Sequence, residues 1–372
     1  MRFLIITHVE HQVSKEDVSA YAPYVREMNL WLKHVDEVMV VAPKTNKKKS
    51  TIDLDYNHDN LRFKVIPSIQ FTNLKTVFSS LFKIPIILYS IFKACRKADH
   101  IHLRCPGNIG MFGCFVQILF PNKVKTAKYA GNWDPEAIQP FSYKLQKRLL
   151  SSTFLTKNMT ALVYGDWKQQ TKNIKSFFTA TFNSIERQIP EKRDYSNKLS
   201  FVFVGSLVTG KRPLFAIQIV EQLLKLNYDV TLKLYGDGIL KTELSSYITN
   251  NKLTSRVKLL GNQEKNVIKD TLKNAHFLIL PSKSEGWPKA VAEAMFFGTI
   301  PISTAVSCVS SMLNFGERGI LIEPDLDNAI QTITKTINNQ DRLKTMAHEA
   351  AQWSQKYTLE TFESEIIKLL KA

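Results

Sequence analysis

The sequence predicts an α/β protein built from two doubly wound domains, and three observations carry that expectation. Short apolar runs alternate with helical stretches along the whole chain, the pattern of parallel sheets joined by crossover helices. The run Ala275–Leu280 is short and apolar, as expected of a strand covered by helices on both faces. At 372 residues the chain is also long for a single core, so two domains are the default.

In the first half, strands are expected at Arg2–Thr7, Glu37–Ala42, Arg62–Ile66, His100–Leu103, Lys125–Tyr129 and Ala161–Tyr164. Tyr21–His34 reads as the first crossover helix. A polar, charged passage at Glu186–Lys198, with Pro190 inside it, reads as a linker. A fresh strand begins directly after it at Leu199–Val204, followed by Val230–Leu234, Val257–Leu259, Phe277–Leu280, Ile300–Ser303 and Ile320–Ile322. The expected domains are 1–190 and 198–354, with a last segment, 355–372, that carries a helix at Thr358–Leu370. Ligands of such sheets bind outside the carboxyl ends of the strands, so a cleft lined by strand-end loops is expected.

Composition narrows the class. Hydrophobic residues make up 44% of the chain, which argues against extensive disorder. Met1–His8 is strand-like and lacks the long apolar region and small-residue cleavage site of a signal peptide, so a cytoplasmic location is expected. The most apolar window, Ile84–Phe92, is flanked by Lys83 and Lys93 and is far shorter than the roughly 20 residues that span a bilayer. Cys95, Cys105, Cys114 and Cys308 show no metal or disulfide spacing and read as free buried thiols. The histidines are scattered and no Asp-x-Asp pair occurs, so no metal site is expected.

The formal net charge is +17, and it is uneven. Residues 1–190 hold 27 Lys and Arg against 14 Asp and Glu, a net of +13, which leaves +4 for the rest. A basic half of this kind meets polyanions. Within residues 71–98, Phe78, Leu81, Phe82, Ile86, Ile87, Leu88 and Phe92 are interleaved with Lys75, Lys83, Lys93, Arg96 and Lys97. That is the composition of an interfacial helix on an anionic membrane, and equally of a core helix with a solvated basic edge. Pro85 is expected to break this helix or to start a second one. A basic nucleic-acid-binding protein is the last-ranked alternative: the chain has no recognisable nucleic-acid module, so a nucleic-acid partner is not expected.

The chemistry concentrates in Pro281-Ser-Lys-Ser-Glu285-Gly286-Trp287-Pro288-Lys-Ala290-Val-Ala-Glu293-Ala-Met295, followed by Gly298 and Pro301. The apolar run before it is a strand, and Pro288 suits the first position of the helix after it. Glu285 then lies on the turn and Glu293 inside the helix, roughly 7.5 Å along its axis from Pro288. A nucleoside diphosphate fits that layout, with its phosphates at the free N–H groups and partial positive charge of the helix start. Glu293 would accept the ribose hydroxyls, and its apolar company makes an unpartnered carboxylate there costly. Glutamates near a helix start also favour the macrodipole without any ligand.

This segment resembles the E-x7-E signature of retaining family-4 glycosyltransferases (glycosyl transferases group 1). Pro281, Ser282, Glu285, Gly286, Glu293, Ala294, Met295, Gly298 and Pro301 match, while Trp287 replaces the usual Phe and Pro288 a frequent Gly. The resemblance implies the GT-B architecture: two Rossmann-like domains, the acceptor on the first and the donor nucleotide on the second, with the terminal helix crossing back to the first. It also implies metal-independent transfer from a nucleotide-diphosphate sugar, UDP- or GDP-linked, without a resident cofactor.

After the strand Leu199–Val204 comes Gly205-Ser206-Leu-Val-Thr-Gly-Lys211-Arg212. As Gly-x4-Gly-Lys this is the frame of a P-loop, which would make the chain a nucleotide hydrolase, but Arg212 and Pro213 stand where the Mg²⁺-ligating Ser or Thr belongs. The same residues fit the glycosyltransferase motif G-R-L-x-x-x-K, with Ser206 in place of its Arg and Arg212 as the compensating charge. In that resemblance Gly205 admits the diphosphate and Lys211 neutralises it. Gly236, after the next strand, matches a G-x-G turn near the ribose, and Asn262, after Val257–Leu260, a contact to the base edge.

In the first domain, His102–Asn108 and Lys128–Asp134 each begin at the end of an expected strand. Arg104, Asn108 and Asn132 are candidate acceptor contacts, Arg104 for an anionic acceptor such as a lipid-linked diphosphate. Asp134 is the candidate for positioning or deprotonating the acceptor hydroxyl, or else caps a helix opening at Pro135. His8 stands where relatives have a glycine-rich loop after the first strand. The resulting expectation is a retaining glycosyltransferase, peripheral at the inner face of the membrane, that serves cell-envelope polysaccharide synthesis. Its expected partners are a nucleotide sugar, a lipid-linked or saccharide acceptor and the anionic membrane surface. Glu285, Lys211 and Asp134 are its candidate catalytic residues.

Overall fold

The computed structural model describes residues 1–14, 17–50, 52–69, 74–168 and 170–371. These form two compact units, Met1–Phe178 with Phe362–Ala372, and Thr179–Thr361.

The first unit is organised on a seven-stranded sheet that runs Ile174–Phe177, Met159–Tyr164, Val124–Tyr129, His100–Cys105, Arg2–Ile6, Glu37–Pro43, Leu61–Ile66. Every pairing is parallel. Numbered along the chain, the strands read 7-6-5-4-1-2-3, so the order reverses between Arg2–Ile6 and His100–Cys105. All six strands expected here form: the first ends one residue early, at Ile6, and the other five are longer by one or two residues. The core is built from the runs that announced them: Leu4, Ile6, Val41, Ile101, Leu103, Ala127, Ala161 and Val163 are all buried. A small antiparallel sheet of Gln12–Val13, Val18–Tyr21 and Asp53–Asp55 lies beside it.

The segment expected to break at Pro85 is instead one helix, Leu74–Lys97, with Pro85 inside it. Ile87, Ile91, Ala94 and Cys95 bury one face of that helix in the core. Pro85 lies on the other, exposed face, so the amide it lacks is missing on the solvent side of the helix rather than in the core. Residues 71–73 and the side chain of Lys75 lie outside the described residues. All four cysteines are free and buried.

The terminal helix, Leu359–Lys371, contributes Phe362 to this unit, packed against Phe177 and Phe178. Lys128, 1% exposed, has its ammonium among the rings of Tyr164, Phe177 and Phe362 and donates to the Phe178 carbonyl at 2.9 Å. Lys33 and Lys175 pair with Glu363 and Glu365 of the same helix.

The second unit has a six-stranded parallel sheet in the order Val257–Leu259, Val230–Tyr235, Leu199–Val204, Phe277–Leu280, Ile300–Thr304, Ile320–Ile322. In chain order this is 3-2-1-4-5-6, the doubly wound arrangement. The charged passage Glu186–Lys198, expected as a linker, runs within this unit. Arg193 pins it by donating to the carbonyls of Lys273 at 2.7 Å, Phe297 at 2.9 Å and Gly298 at 3.0 Å.

Candidate active site

In a doubly wound sheet, the crevice opens beside the strands where the order reverses. In the second unit these are Leu199–Val204 and Phe277–Leu280, which pair directly. The loops that leave their carboxyl ends are Gly205–Arg212 and Pro281–Pro288, the two loops singled out from sequence.

The first of these loops is held by backbone contacts, and the closest of them requires glycine at position 236. Gly205 donates to the Tyr235 carbonyl at 3.0 Å, and Gly236 to the Gly261 carbonyl at 2.8 Å. Gly236 has φ +133°, and a Cβ on it would lie 2.0 Å from the Gly205 carbonyl oxygen. The turns after three neighbouring strands are thereby laced together. Ser206 and Asn262 sit on them as exposed side chains. Thr209–Lys211 forms one 3-10 turn, Arg212 adopts φ +51°, and helix Pro213–Lys225 starts only there. With Arg212 and Pro213 in these positions, no hydroxyl follows Lys211 to ligate Mg²⁺, so the P-loop alternative loses its metal ligand.

The second loop crosses the first. Lys283 donates its amide to the Gly210 carbonyl at 2.8 Å, and the Arg212 guanidinium donates to the Pro281 carbonyl at 3.3 Å. Glu285 is 8% exposed, and its Oε1 accepts from Lys211 Nζ at 2.5 Å. The structure thus brings Lys211, Arg212 and Glu285 into one cluster. The Gly286 carbonyl accepts from Cys308 Sγ at 3.1 Å and Ser307 Oγ at 3.3 Å, which fixes the loop's far end.

The helix that follows spans Lys289–Phe296, so Pro288 is its N-cap rather than its first residue. The Pro288 carbonyl accepts the amides of Val291 and Ala292, and the helix begins one residue later than expected. Ala290 and Glu293 are half-buried on it. Glu293 Oε1 accepts from Thr181 Oγ1 at 2.7 Å, so the carboxylate has the partner its surroundings demand. Together with Thr179, Thr181, Trp287, Lys289 and Tyr357 it lines a narrow pocket. Trp287 stacks on Trp353 with centroids 6.1 Å apart and meets the edge of Tyr357 at 5.6 Å. Thr181 was not foreseen: it lies 112 positions from Glu293, and nothing in its local sequence marks it.

In the first unit the order reverses between Arg2–Ile6 and His100–Cys105, and the loops there carry His8 and Gly107. A Cβ on Gly107 would meet His8 Nδ1 at 2.6 Å, so the imidazole packs directly on the glycine. Burial, and then the nearby Arg104, lower the His8 pKa from its usual value. Arg104 itself is occupied: it pairs with buried Glu27 at 3.2 Å and lies 5.4 Å from the Tyr24 ring centroid. Asn108 opens helix Asn108–Val116, with Gly107 as its N-cap.

No helix opens at Pro135; the next one is Phe141–Ser151. The capping alternative for Asp134 is therefore replaced by a turn. Asp134 donates its amide to Asn132 Oδ1 at 2.9 Å and accepts the Glu136 amide on Oδ1 at 2.9 Å. Lys147 Nζ donates to the Asp134 carbonyl at 2.8 Å. Two successive side-chain-to-backbone turns leave no continuous helical hydrogen bonding for Asp134 to cap. Among the described residues, no group of three His, Cys, Asp or Glu is arranged to hold a metal ion.

Residues 184–353 match the family of glycosyl transferases group 1. One curated relative, an uncharacterized glycosyltransferase of Methanocaldococcus jannaschii, is 27% identical over 194 residues, which cover 52% of this chain and 53% of the relative. A second is the Escherichia coli UDP-Gal:alpha-D-GlcNAc-diphosphoundecaprenol alpha-1,3-galactosyltransferase, 30% identical over 155 residues, or 39% of this chain and 38% of the relative. The chain thus spans about half the length, or less, of these two curated relatives. Among solved structures, Anabaena Alr3699/HepE in complex with UDP and glucose is similar at a TM-score of 0.70 and 15% identity, with all of both chains covered. That likeness shows the fold.

Proposed function

We propose, from a second unit that is a glycosyl transferases group 1 domain in a chain of GT-B fold, that this protein is a retaining glycosyltransferase. It moves a sugar from a nucleotide-diphosphate donor, UDP- or GDP-linked, to a lipid-linked or saccharide acceptor of cell-envelope polysaccharide synthesis. The observation that carries the reading is the meeting of Lys211 and Glu285 on the two loops that leave the reversal point of the sheet. One residue is suited to a diphosphate and the other to a cationic sugar, and both stand where such sheets take ligands.

In this mechanism the bond from the anomeric carbon to the diphosphate breaks first and leaves an oxocarbenium-like sugar. Lys211, with Arg212 beside it, absorbs the charge of the departing diphosphate, so no metal ion is needed. Glu285 faces the sugar hydroxyls and the developing positive charge. The acceptor oxygen attacks from the same face, without an enzyme-bound covalent intermediate, and Asp134 is the candidate for taking its proton. Glu293 anchors the ribose beside Trp287 and Lys289.

Two relatives support the choice of substrates. HepE is known with UDP and glucose, and the Escherichia coli enzyme acts on a sugar diphosphoundecaprenol. A lipid-borne acceptor agrees with the basic first 190 residues and with a peripheral place at the inner face of the membrane.

A thermal-shift panel of UDP, GDP, ADP and their sugars tests the donor class, and Glu293→Ala tests the anchor. One charge-assisted hydrogen bond is worth about 1.5–3 kcal/mol, so Glu293→Ala is expected to weaken nucleotide binding roughly 10- to 150-fold. Unchanged affinity would overturn the ribose assignment. Steady Mg²⁺-dependent ATP or GTP hydrolysis lost in Lys211→Ala would overturn the transferase reading.

A further inference from the structure

Helix Leu74–Lys97 has two unlike faces. One is sealed in the core through Ile87, Ile91, Ala94 and Cys95. The other presents Phe78, Leu81, Phe82, Ile86 and Tyr89, each between 52% and 68% exposed. Their spacing of 3, 4, 8 and 11 residues from Phe78 puts them in one stripe about 16 Å long. Single exposed apolar residues need no explanation, but five large ones in register on a helix mark a surface that meets something apolar.

The same face changes character in its last two turns, where Lys93, Arg96 and Lys97 are exposed. Lys97 also borders a cavity of about 320 Å³ with Arg2, Arg62 and Glu37 on its walls. An apolar stripe continued by a cationic patch is complementary to a bilayer whose headgroups are anionic, and the unit that carries it holds most of the chain's positive charge. The helix lies on such a surface rather than crossing it: among the described residues, no helix is long and apolar enough to span a membrane.

The topology relates this face to the proposed acceptor residues. The helix ends at Lys97, three residues before His100 starts its strand, so its last turns lie at the amino edge of the sheet. At 24 residues it is about 36 Å long, which carries its first turns toward the carboxyl edge. That is the edge where Arg104, Asn108, Asn132 and Asp134 are placed.

We infer that the exposed face of helix Leu74–Lys97 docks the protein on an anionic lipid bilayer, with Phe78, Leu81, Phe82, Ile86 and Tyr89 in the interface and Lys93, Arg96 and Lys97 on the headgroups. This deepens the membrane-peripheral reading above. Binding to vesicles is measured without donor or acceptor, so its failure and the failure of the transferase reading are separate results.

The test is co-sedimentation of the full chain with phosphatidylcholine vesicles and with vesicles of phosphatidylcholine mixed with phosphatidylglycerol. The wild type is expected on the anionic vesicles only, with binding that falls as salt rises. A Lys93→Gln, Arg96→Gln, Lys97→Gln variant is expected to lose roughly 100-fold in partitioning. Phe82→Ser with Ile86→Ser is expected to lose roughly 10-fold or more with its melting temperature unchanged. Equal binding to neutral vesicles, or undiminished binding by both variants, overturns the proposal. So does a salt-sensitive preference for duplex DNA over vesicles, or a dimer in solution that Phe82→Ser with Ile86→Ser dissociates.

Discussion

Lys211 Nζ stands 2.5 Å from Glu285 Oε1, so the cation proposed for the diphosphate and the carboxylate proposed for the sugar neutralise each other across two loops. A diphosphate arriving at Lys211 competes with Glu285 for the ammonium. Glu285→Gln, which keeps the shape and removes the charge, is therefore expected to tighten UDP binding roughly 10-fold while it lowers turnover roughly 10- to 100-fold. Calorimetric titration with UDP, set beside initial rates, separates the two effects. Weaker UDP binding in this variant would show that Glu285 holds the lysine in place for the phosphate instead of competing for it.

Gly236 carries the closest backbone approach at the site. A Cβ there would stand 2.0 Å from the Gly205 carbonyl oxygen at φ +133°, so both the strain and the clash oppose any side chain. Gly236→Ala is expected to cost about 3 kcal/mol and to lower the melting temperature by roughly 6–12 °C. Gly261, also at positive φ, has no heavy atom within 4 Å of such a Cβ, and Gly261→Ala is expected to lose less. Calorimetric scans of the two variants give the comparison.

Arg193 fastens the passage before the second sheet by donating to three carbonyls from two different segments. Arg193→Ala leaves those acceptors without their charged donor and is expected to destabilise the second unit by about 2–4 kcal/mol. Arg193→Lys is expected to recover little of that, because an ammonium does not reproduce the planar fork. Urea denaturation reads both.

Acid is expected to unfold the protein through its buried histidines. Burial lowers His11 and His100 to about 4, and burial followed by neighbouring charges pushes His102 well below the usual 6.5. Between the two values the unfolded chain binds protons that the folded chain refuses, so stability rises with pH across that window. It is complete above pH 6.5 and is lost as the pH falls toward 4, by up to about 1.4 kcal/mol per histidine per pH unit. Melting temperatures measured across this range are expected to be level above neutrality and to fall below it. His100→Gln is expected to flatten the slope.

The main strands were legible from short runs rich in apolar and β-branched residues between turn signals, and Leu199–Val204, Val257–Leu259, Phe277–Leu280 and Ile320–Ile322 form to the residue. The strands of the small sheet were not, since Gln12–Val13 and Asp53–Asp55 are two and three residues long and largely polar. Their pairing is a tertiary event with no local period. The edge strand Ile174–Phe177 was hidden for a related reason: Lys175 interrupts its apolar pattern. Pro85 was misleading because propensity weighs the missing amide, whereas the buried face of the helix decides its continuity.

At the site, glycine spacing and residue type marked the two loops, and the topology then placed both at the reversal of the sheet. What the spacing could not disclose were the partners across long separations: Glu27 for Arg104, Thr181 for Glu293, and Lys211 for Glu285.

The cage around Lys128 has a consequence for the order of events in synthesis. Tyr164 and Phe177 are made early, but Phe362 comes only with the terminal helix. On the ribosome, the first unit to be started is thus the last to be completed, with a buried ammonium waiting for its third ring while the whole of the second unit emerges. A fragment ending at Phe178 would keep every strand of the first sheet and still leave that cation partly uncovered. Dissecting this protein into its two halves calls for a fusion that returns Phe362–Lys371 to the first, not for a single cut.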